Sequence, residues 1–282
     1  MKVLVTGAAG QLGREMVRVA GTAVVAGLVR ADLDVSDSAA VHEAVAGLRP
    51  DVVVNCAAWT DVDGCELDPE RAQTVNADAV GFLAEACDEV GAHLVHVSTD
   101  YVFNGEASTP YGEDHPTDPV NAYGASKLAG EVAAGAGATV VRSTWLQPAD
   151  LPGMVGRVID SLEAGVPIRV MDDRRACPTF VADLVPVILR LGAERVTGVV
   201  HATNAGVTSW HGFAREVARA SGNDPELLVP VSEADLDVSR PACRPTYSAL
   251  DNTVLRGLGW EPMRHHRDAI AAVVARIMAA EA

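Results

Sequence analysis

Lys2-Val3-Leu4-Val5-Thr6-Gly7-Ala8-Ala9-Gly10-Gln11-Leu12-Gly13 is the stretch that decides the fold. A short apolar run reads as a strand, three glycines spaced by three read as a turn, and the amphipathic run Gln11–Val19 opens a helix directly behind them. Without a Cβ, glycine lets a bound group approach the backbone closely. The start of a helix adds unpaired N–H groups and the positive end of its dipole, both of which favour an anion. Such a glycine pattern is weak in isolation; placed between a strand and a helix it reads as a pyrophosphate cradle, and a dinucleotide is implied. Gly7, Gly10, Gln11, Leu12 and Gly13 are therefore assigned to the cofactor.

Outward from that turn the same alternation continues. Lys2–Thr6, Ala23–Val29, Asp51–Asn55, His93–Ser98 and Thr139–Arg142 are short apolar runs, and Gln11–Val19, Ser38–Leu48, Pro69–Val90 and Asn121–Ala134 are the helical patterns between them. Asp68-Pro69 supplies a helix cap followed by a first-turn proline. Strands apolar on both faces, alternating with helices, predict an α/β protein with a Rossmann-type, doubly wound parallel sheet, which binds ligands outside the carboxyl ends of its strands. We expect residues 1–145 to form this nucleotide-binding domain. Residues 146–282 read as a smaller, loop-rich substrate-binding region, broken by Pro148, Pro152, Pro167, Pro178, Pro225, Pro230, Pro241 and Pro245. It is interleaved with the first, because Phe180–Leu191 and Gly198–His201 read as a helix and a strand returning to the sheet.

Composition narrows the function. With 22 Lys and Arg against 38 Asp and Glu, the formal net charge is -16, which argues against nucleic acid or an anionic membrane as partner. The first residues carry no leader-like pattern and no apolar run reaches membrane-spanning length, so a cytoplasmic protein is expected. Cys56, Cys65, Cys87, Cys177 and Cys243 are odd in number and scattered, and His265-His266 lack metal-ligand spacing, so reduced thiols and no metal are expected.

At the end of the second strand, where an acidic residue commonly takes the adenine ribose of NAD, this chain has Leu28-Val29-Arg30. Arg30 fits a 2′-phosphate, so NADPH is favoured, with NADH as the alternative and a solvated loop arginine as the plainer reading. Asp34 and Val35 are placed to bracket the adenine, whereas Asp32 and Asp37 read as cap or loop residues. The small residues of Asn55-Cys56-Ala57-Ala58-Trp59-Thr60 either permit close passage of the cofactor or form an ordinary strand end.

Tyr123 and Lys127 stand four residues apart on a predicted helix and share one face. A cation beside a phenol favours the phenolate, so this pair reads as a proton donor tuned toward neutral pH. Thr99, ending the fourth strand, offers a hydroxyl to the same carbonyl oxygen. Asn76, inside a helix, polarises the site or satisfies the core.

The order of the glycine turn, Asn55-Cys56-Ala57-Ala58, Ser98-Thr99-Asp100 and Tyr123/Lys127 resembles the extended short-chain dehydrogenase/reductases. Within that superfamily, Trp59-Thr60-Asp61-Val62-Asp63 with Glu66, Val97–Phe103 with Gly105, Pro119–Glu131, Pro178–Leu184, Arg240-Pro241 and Ser248–Asp251 resemble the dTDP-4-dehydrorhamnose reductase family over nearly the whole chain. The resemblance implies reduction of a dTDP-4-keto-6-deoxy sugar, with Tyr123 as proton donor and Lys127 binding the nicotinamide ribose and lowering the Tyr123 pKa. It also implies that Thr99 supports the keto oxygen and that Ala57, Ala58, Trp59, Thr60 and Val97 line the cofactor channel. Asp100, Tyr101 and Trp145 would contact the sugar, although Asp100 also reads as a cap and Trp145 as core packing. One or two of Arg174, Arg175, Arg240 and Arg244 are expected on the diphosphate, Arg174 and Arg240 foremost, in a monomer or homodimer. The text after Trp145, Leu146-Gln-Pro-Ala-Asp-Leu-Pro-Gly-Met154, departs from the family pattern and leaves the identity of the sugar open. Antibiotic-sugar tailoring and a non-catalytic subunit on the same fold are the alternatives.

Overall fold

The computed structural model describes residues 1–149, 153–236 and 240–281; Asp150, Leu151 and Pro152, in the divergent stretch after Trp145, lie outside the described residues. Its centre is a six-stranded parallel sheet. Strands β1 (Val3–Thr6), β2 (Val24–Leu28), β3 (Val52–Asn55), β4 (His93–Thr99) and β5 (Thr139–Ser143) are joined by β9 (Gly198–His201), in the order β2-β1-β3-β4-β5-β9. The chain reverses direction across the sheet between β1 and β3, and the crevice above that point is where such sheets take ligands.

Period-two alternation sends neighbouring residues to opposite faces. Val3 and Val5 pack with Leu12 and Met16 of α1 (Gln11–Ala20) and with Leu184, Ile188 and Leu191 of α8 (Val181–Ala193). Leu4 and Val53 point the other way, onto Val41 and Val45 of α2 (Ser38–Leu48) and Val80 and Leu83 of α5 (Ala79–Val90). Both faces are thereby dry, which explains strands with no polar alternation. The cap residues read from the sequence form as expected: Asp37 accepts from Ala40 N at the start of α2, and Asp68 accepts from Arg71 N at the start of α4 (Pro69–Gln73).

The run Pro69–Val90, read as one helix, divides into α4, a π-turn over Thr74–Asp78, and α5. Close contact with α6 (Ala122–Ala134) accompanies the break: a Cβ on Gly130 would lie 2.1 Å from the Asn76 carbonyl oxygen. A second core differs from the loop-rich expectation. Helices α7 (Met154–Glu163), α9 (Trp210–Ser221) and α11 (His266–Glu281) pack Ile159, Phe213, Val217, Ile270 and Val273 against β7 (Ile168–Met171) and β10 (Leu228–Val231), which pair in parallel. The remaining elements are α3 (Val62–Leu67), the short pair β6 (Leu146–Gln147) and β8 (Thr179–Phe180), and α10 (Thr253–Gly257). Among the described residues no helix is long and apolar enough to cross a membrane.

Candidate active site

The glycine turn has no room for side chains. Gly7 has φ +66° and a Cβ there would lie 2.6 Å from Ala57 N; a Cβ on Gly13 would lie 2.3 Å from Gly7 O. Gly10 caps α1 with no side chain of its own, leaving first-turn N–H groups for an anion. Two cavities open from this turn and share Gly10, Cys56 and Ala58. One, of about 240 Å³, is bordered by Gly7, Arg30, Asp34, Val35, Ala57 and Trp59. The other, of about 410 Å³, takes Gln11, Leu12, Gly13, Thr60, Val97, Tyr123 and Lys127 into its walls. The cofactor residues named from the sequence are thus brought to one continuous groove. Arg30 is largely exposed, with Asp34 3.8 Å away as its acidic neighbour. The Asp34 carboxyl is held below its ordinary range chiefly by hydrogen bonds from Ser36. Arg71, absent from the sequence reading, lies over the Trp59 ring at 4.2 Å and closes the smaller cavity. No local motif marks it, because only the α4 crossing brings it to Trp59.

Thr99, Asp100, Tyr101 and Trp145 line the deep end of the larger cavity with Tyr123. Thr99 rather than Asp100 caps the short turn 100–102, its hydroxyl accepting from Tyr101 N at 3.2 Å. That hydroxyl donates to Asp100 Oδ1 at 3.1 Å, and Thr144 donates to Oδ2 at 2.9 Å. Burial outweighs these hydrogen bonds and pushes the Asp100 carboxyl up to about 6. Tyr101 meets the Tyr123 ring edge-on, centroids 5.7 Å apart.

Burial pushes the Tyr123 phenol well above its ordinary value, opposed by a hydrogen bond with Thr99 and reinforced by Asp100, Tyr101 and Cys65. This corrects the expectation that Lys127 lowers it. The lysine reaches β4, where Nζ donates to the Val97 carbonyl at 2.8 Å and meets His96 Nε2 at 3.1 Å. Burial brings Lys127 down to about 8, with Glu131 and Cys56 opposing. His96 is buried and neutral, its pKa far below the ordinary value through burial and the neighbouring lysine. Its other nitrogen, Nδ1, lies 3.1 Å from Asn55 Nδ2. Next to this network, Glu131 accepts from Ser98 Oγ at 2.6 Å and from Arg142 Nε and Nη2 at 2.9 and 2.6 Å, a buried ion pair tying α6 to β4 and β5. Asn76 clasps the loop after β3: Oδ1 accepts from Trp59 N at 2.8 Å, and Nδ2 donates to Trp59 O at 3.1 Å and Ser126 Oγ at 3.0 Å. It therefore shapes the cofactor channel rather than touching the reacting end.

A third cavity, about 130 Å³, adjoins Tyr101 and Trp145 and is lined by Arg174, Arg175, Arg240 and Arg244. Trp145 adopts φ +45°, rare for a non-glycine residue, and stacks on Trp210 with centroids 4.0 Å apart. Trp145 is accordingly a cavity wall and not core packing; Trp210 was missed, since nothing local relates the two indoles. Three arginines already hold carboxylates. Glu233 bridges Arg174 and Arg240, and Asp63 takes Arg244 in a bidentate pair at 3.0 and 2.6 Å. The five thiols are free, and no cluster of three metal-ligating residues occurs among the described residues.

Residues 1–279 match the model of the RmlD substrate binding domain family. The chain is 46% identical over 281 residues to a dTDP-4-dehydrorhamnose reductase of Streptomyces griseus, covering 95% of this chain and 91% of that protein. It belongs to the dTDP-4-dehydrorhamnose reductase family. That is a family of oxidoreductases. A second relative, 44% identical over 288 residues with 100% and 97% covered, is described as a probable dTDP-4,6-dihydroxy-2-methyloxan-3-one 4-ketoreductase of Streptomyces antibioticus. Among solved structures, the dTDP-4-dehydrorhamnose reductase of Bacillus anthracis, in complex with NADP, superposes with a TM-score of 0.91 at 32% identity, covering 98% and 100% of the two chains. The parallel sheet with flanking helices described above is the fold of that solved structure.

Proposed function

We propose that this chain reduces the C4 ketone of a dTDP-4-keto-6-deoxy-L-hexose, foremost dTDP-4-dehydro-L-rhamnose, to the alcohol. The observation that carries the reading is the convergence of Tyr123 and Thr99 at one end of a groove that begins at the glycine turn and adjoins the arginine cavity. The cofactor fits this groove, because Gly7 and Gly13 let the turn close tightly on Ala57 and on itself, and Gly10 puts no side chain over the first-turn N–H groups of α1. Gly10, Gln11 and Leu12 would hold its pyrophosphate, Arg30 its 2′-phosphate, and Lys127 with Val97 its nicotinamide end. Bound NADPH, or NADH in its place, supplies the hydride.

Tyr123 gives its phenolic proton to the ketone oxygen and Thr99 holds that oxygen by a hydrogen bond. The raised pKa of Tyr123 keeps the proton on the phenol at neutral pH until it is needed. Asp100 positions Thr99 and takes a sugar hydroxyl. Tyr101, Trp145 and Trp210 wall the sugar. Arg174 and Arg240, freed from Glu233, would take the diphosphate, since guanidinium forks match its oxygens. Tyr123→Phe should lower kcat by ~10²-fold or more while leaving NADPH affinity nearly intact. Equal turnover in that variant would remove Tyr123 from its role.

A second reading, a ketoreductase for another nucleotide-linked deoxysugar, is favoured by the divergent stretch after Trp145 and by the Streptomyces antibioticus relative. Turnover on one sugar and not the other separates the two.

A further inference from the structure

Two lysines occur in the 282 residues, Lys2 and Lys127, and the second is fully buried among hydrogen-bonding groups whose directions can be worked out in order. Asn55 comes first. Its Oδ1 accepts from the Ala57 backbone N–H at 3.1 Å and from Thr6 Oγ1 at 2.7 Å. A backbone N–H can only donate, so the Asn55 amide cannot be turned round without setting two donors against each other. Its Nδ2 must then donate to His96 Nδ1, 3.1 Å away. A neutral imidazole whose Nδ1 accepts carries its proton on Nε2. That N–H faces Lys127 Nζ at 3.1 Å. An ammonium has three donors and no lone pair, so it would present N–H to N–H; a free amine accepts from Nε2 and still donates to the Val97 carbonyl.

We propose that His96 is a positioning residue that, through the tautomer imposed by Thr6 and Asn55, holds Lys127 as a free amine when the site carries no ligand. The inference rests on the reading of Tyr123 and Lys127 as the reduction site and adds how that site is charged at rest. Ionisable neighbours leave room for it. Glu131, one turn along the helix, opposes the free amine but is paired with Arg142 and accepts from Ser98; Cys56, at the end of β3, is a thiol pushed up to about 12 by burial. Tyr123 lies one turn back on the same helix, and Asp100 and Cys65 act on Tyr123. The π-turn before α5 contributes Asn76, which is neutral. A free amine places no cation beside the Tyr123 phenol, and the proton to be donated stays there.

The test needs no turnover, so its failure is distinct from failure of the proposed reaction. In Lys2→Arg protein labelled with ¹³C-lysine and ¹⁵N-histidine, a single lysine remains, and its Cε shift is followed against pH while ring ¹⁵N shifts report the His96 tautomer. The expected result is a proton on Nε2 and a Lys127 midpoint well below the ordinary ~10.4. In His96→Gln, whose amide can turn its oxygen to Nζ, the midpoint should rise by about one pH unit or more. A proton on Nδ1, a native midpoint at or above ~10, or an unchanged midpoint in His96→Gln would each overturn the proposal. Should His96→Gln fail to fold, the two native measurements decide.

Discussion

Asp100 gives the most quantitative test of how the site is built. Its carboxyl is buried and pushed up to about 6 from an ordinary 3.8, so the folded chain holds that proton more tightly than the unfolded chain does. The native state therefore bears no cost from this group below the unfolded pKa, a growing cost as pH rises toward 6, and a constant one above it. At 1.36 kcal/mol per pH unit the full cost is about 3 kcal/mol above neutrality, and about 1.6 kcal/mol remains at about pH 5. Asp100→Asn removes the charge and keeps the shape. It forfeits about 1 kcal/mol of hydrogen bonding, because an amide cannot accept on both sides from Thr99, Thr144 and Ser248. In urea unfolding, Asp100→Asn relative to native should gain about 1.4 kcal/mol between about pH 5 and about pH 8, ending more stable than native at the higher pH. Turnover should fall at the same time, a gain in stability at the expense of a sugar contact. A stability difference between the two proteins that does not change with pH would refute the argument, since a carboxylate already ionised at its ordinary pKa would give that result.

Other perturbations follow from the same geometry. Glu131→Gln leaves Arg142 buried without its partner and should destabilise the fold by about 3–5 kcal/mol, read as a lowered urea midpoint; replacing Arg142 as well should recover part of the loss. Arg30→Ala should weaken NADPH about tenfold with little effect on NADH, measured as the ratio of their KM values; an unchanged ratio would take Arg30 out of the site. Glu233→Gln removes the carboxylate bridging Arg174 and Arg240 and should tighten dTDP binding severalfold by calorimetry. Weaker binding would mean that Glu233 orders the arginines instead of competing for them.

The sheet and the cofactor groove were legible because their signals are local. A glycine with positive φ, an apolar strand and a capped helix each announce themselves within a few residues, as Gly7, Val3–Thr6 and Asp37 do. The Tyr123/Lys127 pair was legible for the same reason, being a matter of helical spacing. What was misread depends on contacts distant in sequence. The partners of Lys127 are Val97 and His96 in β4, so helical spacing alone could not show that its Nζ meets a carbonyl and an imidazole. The π-turn at Thr74–Asp78 accompanies a helix crossing at Gly130, and the Trp145–Trp210 stack joins residues 65 apart. Helices α7, α9 and α11 were hidden by the prolines scattered between them, which made a packed second core read as loops.

The proposed reaction is a hydride reduction at C4 with Tyr123 supplying the proton. Its most direct test is incubation of the purified chain with NADPH and dTDP-4-dehydro-L-rhamnose, following absorbance and identifying the product by NMR. One NADPH should be consumed per ketone, with dTDP-L-rhamnose as the product. No oxidation of NADPH with this or any other dTDP-4-keto sugar would contradict it.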